Sequence, residues 1–399
     1  MDAKAAFRSE ILTGLRLRWA SIGLLSAALL GGEYAWLAAA WSPIYAERWL
    51  ALSALAAGSL LWVFWQNLSD NHPPDAPQLL YGDLGLPNLV TYWRGMMIAC
   101  TAGFVLIPRP PADLIWLPGL QFSLGILPDY LDGYLARLTG RTTSLGETLD
   151  VSVDGVAVLA GTLLVVRYQL VPAWYLLVGF ARYLFLLGIW VRRRLKKPVY
   201  DLPPSMIRRA LAGTQMGFNM VVLWPVFGPP FTTLAAYLFS IPFLYNFTRD
   251  WLFVSGALNV QTASNSTLPD VVRRWLPLSL RVGVACGLGI YSATWVGNFA
   301  AQTVYLQNLG ANNPILLTGL VLALQIGVLM LILLGIMTRT MAVLALCIAG
   351  FHLQFSDGML VIDLLTATCA GLLFFLGSGT LAFWSPEEEI LHRRAGESG

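Results

Sequence analysis

The chain is a succession of apolar runs about twenty residues long, separated by short stretches that carry proline or charge. A run of that length with few charges is long enough to cross a bilayer as one helix. Over 399 residues, 57% are hydrophobic and only 12% are charged, a balance that belongs to a polytopic membrane protein and excludes a soluble domain. The pattern predicts spans at about 20–40 and 48–67, then six at about 87–107, 112–136, 145–167, 170–191, 206–228 and 230–252, and four more at about 277–298, 313–337, 339–356 and 359–383. The fold class expected is therefore all-α, with about twelve spans.

One stretch does not fit a purely apolar reading. Residues 129–154 read DYLDGYLARLTGRTTSLGETLDVSVD, with carboxylates at Asp129, Asp132, Asp150 and Asp154. The first pair is spaced i,i+3 and the second i,i+4, so on helices each pair shares one face. The polar residues between them have no apolar period and suit a turn between antiparallel helices. A carboxylate at the centre of a membrane helix costs about 3 kcal/mol, so four together cost on the order of 10 kcal/mol before their repulsion is added. Protonation or a cation must relieve that cost. A hard divalent ion takes oxygen ligands and commonly joins one or two carboxylates to substrate phosphates. A diphosphate is the natural partner of two such ions.

The spacing is more specific than the chemistry. Asp129, Asp132-Gly133, Ala136-Arg137, Gly146, Asp150 and Asp154 match, at every fixed position, the signature of the CDP-alcohol phosphotransferase family, and the upstream run Pro87-Asn88-Leu89-Val90-Thr91-Tyr92-Trp93-Arg94 resembles the start of that family's first core helix. The resemblance implies a six-helix catalytic core over residues 87–255 that displaces CMP from a CDP-linked alcohol, often CDP-diacylglycerol, by the hydroxyl of a second alcohol. It implies Asp129, Asp132, Asp150 and Asp154 as ligands of Mg2+ or Mn2+, two ions in number, with Asp154 also the general base. It implies Asp132, Gly133, Ala136, Arg137 and Gly146 as the CDP-binding wall, and a homodimer. Gly133 and Gly146 would let the nucleotide approach the backbone, or would serve helix packing or, at Gly146, a helix start. Arg137 points at phosphate or at a neighbouring carboxylate.

For the acceptor, Arg182 lies inside a span and is expected to face a polar cavity. With Arg208 and Arg209 it is a candidate for binding a phosphorylated acceptor, such as glycerol 3-phosphate or inositol phosphate, since the guanidinium fork donates two hydrogen bonds. The competing readings are a salt bridge from Arg182 to a site aspartate, and interfacial snorkelling of Arg208 and Arg209.

Outside the core, residues 1–86 comprise a basic lead, two spans and a proline-rich linker; 256–276 form a second linker, 277–384 a four-helix membrane unit, and 385–399 a charged tail. The run at 324–350, with Gly377-Ser378-Gly379, resembles the DoxX-type four-helix membrane family. Glu33 in the first span is a functional candidate, with helix packing as the alternative. The basic run Arg192-Arg193-Arg194-Leu195-Lys196-Lys197 belongs on the cytoplasmic side, which by span counting puts the acidic site and both termini there too. The four cysteines have no paired spacing and read as buried hydrophobes. No nucleic-acid motif is present. Two other functions use acids in this setting: a magnesium-dependent prenyltransferase, distinguished by having no need of the Gly133, Ala136-Arg137 and Gly146 set, and an ion-coupled transporter, in which the acids would mark an ion path.

Overall fold

The computed structural model describes residues 3–129, 141–202, 206–258, 270–308, 312–355 and 359–387. These residues form thirteen α-helices and no strand. In chain order they are α1 (Ala3–Ala40), α2 (Pro43–Gln66), α3 (Gly85–Gly103), α4 (Leu117–Ile126), α5 (Ser144–Arg167), α6 (Leu176–Arg194), α7 (Met206–Leu223), α8 (Phe231–Val254), α9 (Asp270–Gly297), α10 (Phe299–Asn308), α11 (Pro314–Leu334), α12 (Thr338–Phe355) and α13 (Leu360–Leu376). The protein is thus an all-helical, polytopic membrane protein. Seven helical segments among the described residues are long and apolar enough to cross a bilayer: Phe7–Ala40, Pro43–Gln66, Gly85–Leu106, Ser144–Arg167, Ala173–Arg194, Trp275–Gly297 and Pro314–Leu334.

Two of the differences from the sequence expectation have a local cause. The span expected at about 112–136 is, in its described part, only the ten-residue α4. Pro128 follows the C-cap residue Leu127 and lacks the N–H that would bond back to Leu124. The unforeseen α10 is short and carries polar residues among its apolar ones (FAAQTVYLQN), so no apolar run announces it.

By packing, the chain divides into two compact units, Met1–Gly188 with Leu211–Val226, and Ile189–Ala210 with Phe227–Gly399. In the first unit α3 is the central element. Met96, Met97, Ile98, Ala99 and Cys100 are consecutive and all buried, so the helix is enclosed on every side. Around it pack α2, α4 and α5. Gly103 makes the close approach to α2 feasible, because a Cβ there would fall 2.7 Å from the Trp49 carbonyl oxygen. Trp49 Nε1 donates to the Cys100 carbonyl at 2.9 Å, and the Ser26 and Tyr92 hydroxyls lie 2.6 Å apart, tying α1 to α3. Glu33 accepts from Gln121 of α4, so this intramembrane acid is a helix-packing partner. The C-terminal half of α7 joins the unit through buried polar contacts: Tyr175 donates to Gln215 and Asn219, each at 3.0 Å, and Trp224 donates to Ser123 at 3.0 Å.

In the second unit, α8 lays Phe239 edge-on against Phe374 and Phe375 of α13. Helix α9 packs against α11 and α13, and α12 against the same two. Arg281 of α9, 1% exposed, donates to the carbonyls of Ile332, Leu333 and Thr380, satisfying the end of α11 from the side.

Candidate active site

The site is built where α3, the segment after α4, and α5 meet in the first unit. Helix α5 starts where it does because Thr143 is its N-cap, with extended backbone (φ −130°) and a side-chain oxygen that accepts from the Gly146 N–H at 3.0 Å. Glu147 in the first turn suits the positive end of the helix dipole. The next two turns project Asp150 and Asp154 from one face. Asp129 lies three residues beyond the end of α4.

Arg94 of α3 gathers these three acids. Its side chain is fully buried, and Nη2 lies 2.6 Å from Asp129 Oδ1 and 3.1 Å from Asp154 Oδ1, while Nη1 lies 2.9 Å from Asp150 Oδ1. Its Nε donates to the Gly125 carbonyl at 3.2 Å, which fixes the plane of the guanidinium. The carboxylates are more open, with side-chain exposures of 43%, 43% and 35% for Asp129, Asp150 and Asp154. The arginine is therefore the floor and the acids are the rim. One guanidinium against three carboxylates leaves two negative charges for something else to balance.

Those residues fit a divalent metal. One oxygen from each of Asp129, Asp150 and Asp154 lies within 4.8 Å of the others. All three are hard oxygen donors, the set that Mg2+ and Mn2+ accept. Asp132, Gly133, Ala136 and Arg137 lie outside the described residues.

The remaining expected residues separate. Gly146 is packed against α3: a Cβ there would meet Asn88 Oδ1 at 2.5 Å. That close approach and the capping turn account for a glycine at this position. Arg182 of α6 is exposed and lies over Gly155, its Cδ and Nε 3.5 Å from where a Cβ on that glycine would stand. It is thus next along α5 from Asp154. Arg208 belongs to the second unit, where its Nε is 3.6 Å from Asp250 Oδ2. Arg209 has no described side chain.

Sequence reasoning missed how much the segment before α3 contributes. Asn71 donates to the carbonyls of Tyr81 (3.1 Å) and Asp83 (2.7 Å) and accepts from Asn88 at 3.2 Å; Thr143 in turn donates to Asn88 at 3.2 Å. The Ser144 N–H donates to the His72 carbonyl at 3.0 Å. The supposed linker is therefore laced to the start of α5. At its surface Arg141 pairs with Asp83 at 2.5 Å and lies over the Tyr81 ring. The hydrogen bond from Arg141 holds the Asp83 carboxyl below its ordinary range. Arg94 itself was legible only as part of a resemblance, although an arginine inside an apolar run is the same signal that drew attention to Arg182.

Residues 84–255 match the CDP-alcohol phosphatidyltransferase family model, and this segment of the chain is a domain of that family. The chain is similar to a CDP-diacylglycerol–glycerol-3-phosphate 3-phosphatidyltransferase of Blochmanniella floridana, 25% identical over 47% of this chain and 87% of the relative. It is similar to the enzyme of the same name from Bacillus subtilis, 30% identical over 26% of this chain and 59% of the relative. It is also similar to a cardiolipin synthase (CMP-forming) of Streptomyces coelicolor, 29% identical over 36% of this chain and 64% of the relative. The chain thus spans about three-fifths of the length of the last two. No solved structure matches it.

Proposed function

We propose that the protein is an integral membrane transferase that releases CMP from a CDP-alcohol, CDP-diacylglycerol in the first instance, by attack of the hydroxyl of a second alcohol. The observation that carries this reading is the gathering of Asp129, Asp150 and Asp154 by a buried arginine inside the segment that matches the family. In the reaction the acceptor oxygen bonds to the phosphorus on the lipid side, the phosphoanhydride bond breaks, and CMP departs with the electron pair. A divalent ion held by Asp129, Asp150 and Asp154, with Asp132 as a fourth ligand, would polarise the phosphoryl oxygens and offset the charge of the leaving group.

The chain's own residues do the rest. Asp154 takes the proton of the acceptor hydroxyl, for which it must come within hydrogen-bond reach. Arg94 keeps the three carboxylates converged when no cation is bound, so the rim does not spread by repulsion. Arg182, exposed beside Asp154, binds the phosphate of the acceptor through its forked donors. The names of two of the relatives favour glycerol 3-phosphate as the acceptor. The site opens to the cytoplasm, with the basic run from Arg192 to Lys197 on the same side.

The test is CMP release by the purified full chain with CDP-diacylglycerol and Mg2+, adding glycerol 3-phosphate, phosphatidylglycerol or inositol phosphate one at a time, beside Asp154→Asn. Acceptor-dependent CMP release that drops by roughly 10²–10⁴-fold in the variant is the expected result. Pyrophosphate in place of CMP, from a prenyl diphosphate substrate, would replace this reading with a prenyltransferase. Cation flux without either product would replace it with a transporter.

A further inference from the structure

The second unit contains a polar centre to which each of four helices contributes one side chain. Tyr291 comes from α9, Gln325 from α11, His352 from α12 and Asp363 from α13, and they are 0%, 0%, 4% and 1% exposed. Tyr291 donates to Asp363 Oδ1 at 2.7 Å. Its ring stacks on the His352 imidazole, with centroids 3.9 Å apart and planes within 9°. Gln325 donates to His352 Nε2 at 3.2 Å, so the stack is anchored at both ends. Trp295 and Phe351 close around the imidazole at 6.2 and 6.1 Å.

Two oxygens of this centre, Gln325 Oε1 and Asp363 Oδ2, are buried without a hydrogen-bond partner among the described residues, and the second belongs to an acid. Two arginines of the unit bond to main-chain carbonyls instead. Arg281 serves the carbonyls of Ile332, Leu333 and Thr380, and Arg339 those of Phe374 and Phe375. His352 faces Gln325. A buried carboxylate without a counter-charge is costly in a medium of low dielectric, and more so at membrane depth. A proton would remove the charge, and its O–H would then need an acceptor of its own.

We propose that Asp363 is the centre of a binding site for a small monovalent cation, Na+ or Li+, in the four-helix unit. One carboxylate balances one monovalent charge, whereas a divalent ion would leave a buried excess. The near groups are hard oxygens: Asp363 Oδ2, the Tyr291 hydroxyl and the Thr366 hydroxyl beside it, one turn along α13 from Asp363. The His352 stack holds the tyrosine in place before the ion arrives. This site lies outside the segment that matches the transferase family and does not depend on the transfer reaction.

The test is the thermal stability of the full chain in detergent with EDTA, with NaCl exchanged for choline chloride at fixed ionic strength, together with 22Na+ equilibrium binding. A ligand bound only by the folded state raises Tm in a saturable way. The expected result is a rise of about 5 °C with Na+ and Li+ but not choline, and one 22Na+ bound per chain. Asp363→Asn, close to isosteric and still able to accept from Tyr291, should abolish both, and Tyr291→Phe should move the midpoint about tenfold higher in Na+. CMP release should persist in both variants, which separates this site from the phosphotransfer centre. The absence of 22Na+ binding to the wild-type chain, a Tm that follows pH but not Na+, or equal Na+ dependence in Asp363→Asn would overturn the proposal.

Discussion

Among the described residues each unit of the molecule buries one arginine almost completely, and the two do opposite jobs. Arg94 in the first unit meets three carboxylates; Arg281 in the second meets backbone carbonyls. Both were expensive to desolvate, and both are fully engaged. The partners of Arg94 are half-exposed and leave two negative charges in excess, so that region can still take a cation, as the proposed reaction requires. The partners of Arg281 are neutral and already satisfied by it, so that region is finished when folded. Burial of an arginine therefore marks a site only when its partners are charged and still open on their other side.

Substitutions should separate the two roles. Arg94→Met leaves three carboxylates facing one another with no counter-charge. It is expected to cost about 3–5 kcal/mol of stability in the metal-free protein and to abolish CMP release. Added Mg2+ should recover part of that stability, as a cation takes the place of the guanidinium; thermal unfolding with and without Mg2+ checks this. Arg281→Met strands several carbonyls and is expected to cost about 3 kcal/mol, with no recovery by Mg2+ and with kcat per folded molecule unchanged. If Mg2+ rescued both variants equally, the contrast between the two arginines would be lost.

Arg182→Ala should raise the KM for a phosphorylated acceptor by about tenfold or more, the loss of one charge-assisted pair, while the KM for the CDP-alcohol stays put. The smallest effect is expected at Asp83. Its carboxyl is held below the ordinary range by Arg141, so the clamp contributes at neutral pH and is lost as pH falls through the lowered value. Since both side chains are largely exposed, Asp83→Asn should change stability by less than about 1 kcal/mol, and only above the acid range; a pH series of unfolding midpoints for the two proteins tests the sign.

Much of the site was legible because it is written locally. The i,i+4 spacing of Asp150 and Asp154 depends on near neighbours alone, and the structure has both carboxylates on the face that the spacing requires; the cap at Thr143 is as local, yet it went unread. The helices also followed from hydropathy, except where Pro128 ended α4 early and where α10 lacked an apolar run. What the sequence hid was long-range. Arg94 is 35 residues from the nearest of its three acids and 60 from the farthest, and no periodicity links them. Asn71 and His72 sit in a stretch whose composition reads as a plain linker, yet they hold the start of α5. The grouping of α8 with the C-terminal helices was equally hidden, because the aromatic contacts of Phe239 with Phe374 and Phe375 join residues far apart in the chain.

The central claim is that Asp129, Asp150 and Asp154 form the metal site on which the CDP-linked substrate sits. The most direct measurement is Mn2+ binding to the full chain in detergent by electron paramagnetic resonance, with and without added CDP, for the wild type and Asp150→Asn. The account predicts that the wild type takes up Mn2+, that CDP tightens the uptake, and that Asp150→Asn weakens it by tenfold or more, about 1.4 kcal/mol or greater. Mn2+ uptake of equal strength in the wild type and the variant, indifferent to CDP, would contradict it.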